Sequence, residues 1–277
     1  MKPFDDGRAA NDEFQSTLGG THRGELIRDL LRQRVRMPEP VPNYLKRPAL
    51  TEKLTATITP GSVLLLEAPS GYGKTHALSA AFRETSRSPD TLRWLALTGQ
   101  ENDSGRLLAL LEIALTPPGA TSRPSGQQKA SSNTDALALL LSDAHWSDPD
   151  RDSVLVIDNV GTVANPAAIA LLQQLVENIP SGLALVMVSR KPPPFETHTF
   201  ELEGRFNRIG ADSLELTRLE TFEFFHAAIN RNQLTTVAVE HLYSLTEGWI
   251  TPLGLYQREL DSAPESRLPI QETFSVE

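Results

Sequence analysis

Residues Ala68-Pro69-Ser70-Gly71-Tyr72-Gly73-Lys74-Thr75 combine side-chain types and spacing suited to holding phosphate. Glycines let successive backbone N–H groups curl around an anion. A lysine brings positive charge to the terminal phosphates, and a threonine hydroxyl offers Mg²⁺ a hard oxygen ligand. An apolar run, Val63-Leu64-Leu65-Leu66, precedes the stretch, and a helical pattern from His76 to Arg87 follows it. Strand, glycine-rich turn, Gly-Lys-Thr and helix is the layout of a phosphate-binding loop, to which the helix N-terminus adds partial positive charge. Ala68 stands where the consensus G-x-x-x-x-G-K-[ST] has its first glycine. Pro69, Ser70, Gly71, Tyr72, Gly73, Lys74, Thr75 and His76 are therefore the residues expected to line ATP or ADP with Mg²⁺.

Such a loop needs an acid to hold the metal, at the end of a neighbouring buried strand. Val154-Leu155-Val156-Ile157-Asp158 supplies one, which makes Thr75 and Asp158 the expected metal ligands. A second register competes, in which Asp143 follows Leu139-Leu140-Leu141-Ser142 and leads into Ala144-His145-Trp146. Asp158 is preferred because the helix and strand it needs follow at the right distance; His145 then reads as a surface or packing residue. Asn159 stands where many hydrolytic relatives of such loops carry a second acid, and an amide cannot act as a general base. Slow hydrolysis is the expectation, a weak ATPase at most. Ser189-Arg190 follows another apolar run at the same end of the sheet, and Arg190 is placed to meet a γ-phosphate. The competing reading of Arg190 is a surface residue paired with a helix end. Lys74, Asp158 and Arg190 are the residues expected to act in any turnover.

The elements that must position these groups are legible as periodicity. Ser62–Glu67, Thr91–Leu97, Ser153–Ile157 and Leu183–Val188 are continuous apolar runs, suited to a parallel sheet covered on both faces. Lys74–Arg87, Gly105–Leu115, Thr134–Leu141 and Ala167–Asn178 read as helices, the last capped by Asn165 with Pro166 at its first position. Repeated strand–helix units imply an α/β sandwich. Thr116–Asn133 is rich in Pro, Gly and Ser and reads as a loose insertion. Beyond Pro192-Pro193-Pro194 the character changes: one or two short strands are expected in Phe200–Leu216, then helices over Leu219–Ile229 and Ala238–Thr246. Phe222, Phe225, Ile229, Leu242 and Leu245 are the expected core of this small helical lid. Met1–Gly20 reads as a disordered leader, Glu25–Met37 as a basic amphipathic helix, docked with a solvated basic face in preference to contacting nucleic acid, a membrane surface or a partner, and the tail from Ala263 as no clear element. The expected organisation is a leader and helix over residues 1–40, a nucleotide-binding domain over 41–198 and a helical lid with tail over 199–277.

Composition narrows the function classes. A net charge of −9 argues against nucleic-acid binding by charge alone. There is no cysteine, hence no disulfide and no thiolate metal site. No signal-peptide pattern and no run long enough to span a membrane is present, so a cytoplasmic protein without membrane contact is expected.

Several stretches, taken in order, carry a resemblance: Tyr44-Leu45-Lys46-Arg47-Pro48-Ala49-Leu50-Thr51-Glu52-Lys53-Leu54, Ser70-Gly71-Tyr72-Gly73-Lys74-Thr75, Trp94-Leu95-Ala96-Leu97 with Asn102-Asp103, Ile157-Asp158, Ser189-Arg190 before prolines, and Thr246-Glu247-Gly248-Trp249. From about Val41 to Leu255 the chain resembles the nucleotide-binding module of STAND ATPases (signal-transduction ATPases with numerous domains), of the MalT type that heads LuxR-class transcription regulators. That family also lacks the first loop glycine. The resemblance implies an AAA+/STAND-like parallel sheet and a molecular switch, with ADP holding an inactive monomer and ATP plus inducer favouring self-association. It matches Lys74 and Thr75 to the phosphate and Mg²⁺ residues, Asp158 to the metal acid and Arg190 to the sensor. It places the segment around Arg47 by the adenine, and Gly248-Trp249, with Pro252 after them, between the lid and the nucleotide. Ile250 after Trp249 departs from the family's Gly-x-Pro. A winged helix, sensor repeats and a helix-turn-helix follow in the family and are not in this chain, so a fragment or a short stand-alone relative is expected, with DNA contact only through a domain it lacks. A stand-alone ATPase with genuine turnover on a protein partner is the main alternative; a scaffold with structural nucleotide is the third.

Overall fold

The computed structural model describes residues 35–39, 44–85, 91–116, 132–142, 146 and 152–262. The leader, residues 25–34 of the basic helix, most of the loose insertion, Asp143, His145 and the tail beyond 262 lie outside the described residues. Of the basic segment, Val35 and Met37 fall within them and pack against the main cores.

Five parallel strands form the sheet: β1 (Val63–Glu67), β2 (Leu92–Ala96), β3 (Ser153–Asp158), β4 (Leu183–Ser189) and β5 (Phe206–Ile209), in the order β2-β3-β4-β1-β5. Neighbouring side chains of a strand point to opposite faces, so an apolar run feeds two cores at once. Val63, Leu65, Leu155, Ile157, Leu185 and Met187 enter one core; Leu64, Leu66, Val154, Val156, Val186 and Val188 enter the other. The first is covered by α3 (Ser104–Leu115), α4 (Asn133–Leu141) and α5 (Pro166–Glu177), the second by α1 (Pro48–Thr57) and α2 (Lys74–Glu84). This is the α/β P-loop architecture, with the sheet buried on both sides.

Local chemistry fixes the ends of these elements. Asn165 caps α5 through the Ala167 N–H at 2.8 Å, with Pro166 at the first helical position. Asp103 caps α3 through the Arg106 N–H at 2.9 Å, while the Asn102 side chain accepts from the Ala164 and Asn165 N–H groups. Both residues of that pair thus tie loops at the C-terminal edge of the sheet. Trp146 is buried, and its backbone carbonyl occupies the space a Cβ on Gly182 would need. Trp146 is therefore a packing residue.

Downstream, Phe200–Leu216 holds one strand, β5, preceded by the short helix α6 (His198–Leu202). Because β5 pairs with β1 from Val63↔Phe206 to Leu66↔Ile209, a division at 198/199 cuts the sheet. The lid comprises α7 (Arg218–Phe224), α8 (His226–Asn230), α9 (Thr236–Thr246) and α10 (Ile250–Ser262). The expected helix over Leu219–Ile229 breaks at Phe225, which is fully buried at the centre of the lid core with Leu216, Val239 and Leu253. Phe222, Ile229 and Leu242 pack at its margin. Leu245 does not: it is 63% exposed. Six residues beyond Val239, at about 100° per residue, it has turned well away from the core-facing stripe.

Candidate functional site

The loop from Ala68 to Thr75 owes its shape to two glycines. Gly71 has φ +84° and Gly73 φ +75°, a region that side chains strain to enter. Ala68 is not among the positive-φ residues and packs in the core beside α2, so this position requires no glycine. Gly73 is the N-cap of α2, which begins at Lys74. Among the described residues, the backbone N–H groups from Ser70 to His76 find no protein acceptor, which leaves them available to an anion.

Four charged or metal-binding side chains gather at this turn. Lys74 Nζ donates to the carbonyls of Ala68 at 2.6 Å and Pro69 at 2.7 Å. Burial pushes its ammonium pKa down; the nearby Asp158 carboxylate opposes that shift, and the charge of Arg190 adds to it. Thr75 Oγ1 donates to Asp158 Oδ2 at 2.8 Å, and Asp158 Oδ1 accepts from the Asn159 N–H at 2.8 Å. Asp158 sits not on the strand beside β1 but one further over: Asp158 is in register with Val188, and Leu66 with the same residue from the other side. The inserted strand β4 ends at Ser189, so Arg190 leaves the sheet between the loop and the acid. Arg190 is exposed and makes no hydrogen bond or ion pair to another described residue. His76 is half-buried on the first turn of α2, its Nδ1 without a hydrogen-bond partner.

This constellation fits nucleotide with Mg²⁺. Mg²⁺ is commonly held by one or two protein oxygens together with phosphate oxygens and water. Thr75 Oγ1 and Asp158 Oδ2 are such a pair, already at mutual contact distance beside the donor-lined turn. No cluster of three His, Asp or Glu residues that would hold a metal by protein alone exists among the described residues.

The lid reaches the loop directly. Trp249 Nε1 donates to the Gly71 carbonyl at 3.1 Å, and Thr251 Oγ1 donates to the same oxygen at 2.6 Å. The Trp249 and Tyr72 rings stack with centroids 6.0 Å apart. A Cβ on Gly71 would lie 2.5 Å from Thr251 Oγ1, and one on Gly73 3.5 Å from Ile250. Gly248 has φ +83° and no room for a side chain, because the Leu216 carbonyl fills that space. Leu216 N–H in turn donates to the Gly248 carbonyl at 2.9 Å. Trp249 thus meets the loop while Gly248 packs on Leu216, and Thr251 joins Trp249 with no sequence signal beyond its position two residues past it.

Arg47 is engaged by protein groups. Its guanidinium donates to both Glu220 carboxylate oxygens, at 2.9 and 3.1 Å, and to the carbonyls of Leu214 and Glu215, each at 2.7 Å. Those donors are committed to the start of the lid. Glu220 simultaneously closes the capping box of α7 with Thr217. Nothing in the sequence joins Glu220 to a residue 173 positions away.

No protein-family model matches the chain. Over 216 residues it is 24% identical to the HTH-type transcriptional regulator MalT of Vibrio cholerae, which covers 77% of this chain and 23% of that regulator. Over 230 residues it is 25% identical to MalT of Cronobacter sakazakii, covering 78% of this chain and 25% of the regulator. The chain therefore spans about a quarter of the length of the curated relatives it matches. Among solved structures it is similar to a signal transduction ATPase with numerous domains, carrying a tetratricopeptide repeat sensor, from Pyrococcus horikoshii. The TM-score is 0.56 at 18% identity, over 83% of this chain and 32% of that one. These likenesses show the α/β P-loop fold and support a nucleotide-binding regulatory module. No helix among the described residues is long and apolar enough to cross a membrane.

Proposed function

We propose that this chain is the nucleotide-binding module of a transcription regulator: a switch that holds ATP or ADP with Mg²⁺, hydrolyses slowly and self-associates in the ATP form. The observation that carries the reading is the contact of the lid with the phosphate loop itself, through Trp249 and Thr251 on the Gly71 carbonyl. A loop that changes its hydrogen bonds with the phosphate it holds then changes what the lid docks on, which is what a switch needs.

The residues divide the work. The N–H groups of Ser70 to His76 and the ammonium of Lys74 take the phosphates, with Pro69 and Tyr72 shaping the loop between them. Thr75 and Asp158 hold Mg²⁺, which when bound neutralises phosphate charge. Arg190 reports on the γ-phosphate from the end of β4. Asn159 offers no general base, which keeps hydrolysis slow enough for the nucleotide state to persist. Arg47 acts through the lid, and the backbone of its segment is left to border the base. We assign DNA contact to no residue of this chain.

Lys74→Ala tests the site. The affinity for ADP and ATP, measured by isothermal titration, is expected to fall more than tenfold while the melting temperature holds. Unchanged affinity contradicts the assignment of the loop.

A further inference from the structure

Among the described residues, hydrogen bonds of unequal strength fasten the lid to the sheet domain at its base and at its tip. At its base the buried Arg47 spreads its planar fork over Glu220 and the carbonyls of Leu214 and Glu215. These are charge-assisted bonds, and one guanidinium supplies all of them. At its tip the hold is neutral and solvent-exposed: an indole N–H and a hydroxyl on one carbonyl oxygen. By its hydrogen bonds the tip is the weaker fastening.

The acceptor at the tip has a second consequence. The Gly71 carbonyl and the Tyr72 N–H belong to one planar trans peptide, so they point in opposite directions. With Gly71 oxygen turned outward to Trp249 and Thr251, the Tyr72 N–H faces the other way, and it is one of the loop donors that no protein acceptor takes. Two hydrogen bonds on that carbonyl also polarise the peptide and strengthen its N–H as a donor. Lid docking and phosphate binding therefore use the two ends of the same peptide.

We propose that the lid turns on Arg47, and that the hydrogen bonds of Trp249 and Thr251 to the Gly71 carbonyl form the catch whose release sets the rate at which nucleotide leaves. Thr251 and Trp249 are positioning residues, acting on the nucleotide through the loop. The inference rests on the nucleotide-binding reading above.

The test uses the full chain loaded with N-methylanthraniloyl-ADP and Mg²⁺, chased with excess ADP in a stopped-flow instrument. Thr251→Val keeps shape and removes the hydroxyl; Trp249→Phe keeps the stack on Tyr72 and removes the indole N–H. Each is expected to speed release about two- to tenfold, the range for one neutral hydrogen bond, with the association rate unchanged. Leu255→Ala, on an exposed position of α10, is the control and leaves both rates alone. Unchanged release in both variants overturns the catch while leaving the nucleotide site in place. A wild-type chain that takes up no analogue overturns the nucleotide reading and the catch with it.

Discussion

Asn159 follows β3 with φ +62°, a left-handed conformation that asparagine and aspartate tolerate better than other side chains. Asn159→Asp therefore places a carboxylate there without changing the backbone. If the missing base is what limits turnover, phosphate release rises about a hundredfold, the lower end of what a positioned base contributes. An unchanged rate places the limit outside this residue. The Thr75–Asp158 contact was legible in the sequence because each residue closes a recognisable pattern: the loop before a helix and an acid after an apolar strand. The hydrogen-bond commitments of Arg47 were not, since a guanidinium in a short polar segment carries no mark of which distant carbonyls it will meet. Thr251 was hidden for the same reason.

At the scale of elements, the turn between α9 and α10 is the tightest point of the lid. Glu247 and Gly248 both have positive φ, and Gly248 presses on Leu216. Gly248→Ala strains the backbone and forces a Cβ into the Leu216 carbonyl. It is expected to cost about 1–3 kcal/mol from the backbone conformation alone, and more from the clash. Thermal melting checks this; a variant as stable as the wild type contradicts the packing described. The four strands of continuous apolar residues were readable because burial on both faces leaves no alternation to misread. The helices α1 and α10 were not. Pro48 at the start of α1, and Gly248 with Pro252 around the start of α10, are punctuation in a sequence, yet the first turn of a helix accepts proline without losing a hydrogen bond. β5 escaped definition because four residues at a sheet edge are too few to establish a period.

At the scale of the molecule, three apolar cores are joined by a few polar links, and Arg47–Glu220 is a largely buried ion pair between sheet domain and lid. Burial pushes the Glu220 carboxyl up, but hydrogen bonds from Arg47 and Thr217 and the charge of Arg47 outweigh it and hold the group below its ordinary value of 4.5. A carboxyl with a lower pKa folded than unfolded stabilises the fold fully above about pH 4.5, and that contribution disappears as the pH falls through the folded value. Glu220→Gln is thus expected to melt about 2–6 °C below the wild type at pH 7, with the gap closing in acid. A gap that stays constant with pH contradicts the ion pair as the source of stability. The central claim is that nucleotide identity is converted into association through this module. The most direct measurement is titration of nucleotide-free protein with ADP and with ATP, each with Mg²⁺, followed by light scattering on the same samples. The account predicts binding of both at micromolar concentration or below, with larger particles only in ATP. Binding with the same particle size in both nucleotides contradicts a switch that assembles through this chain.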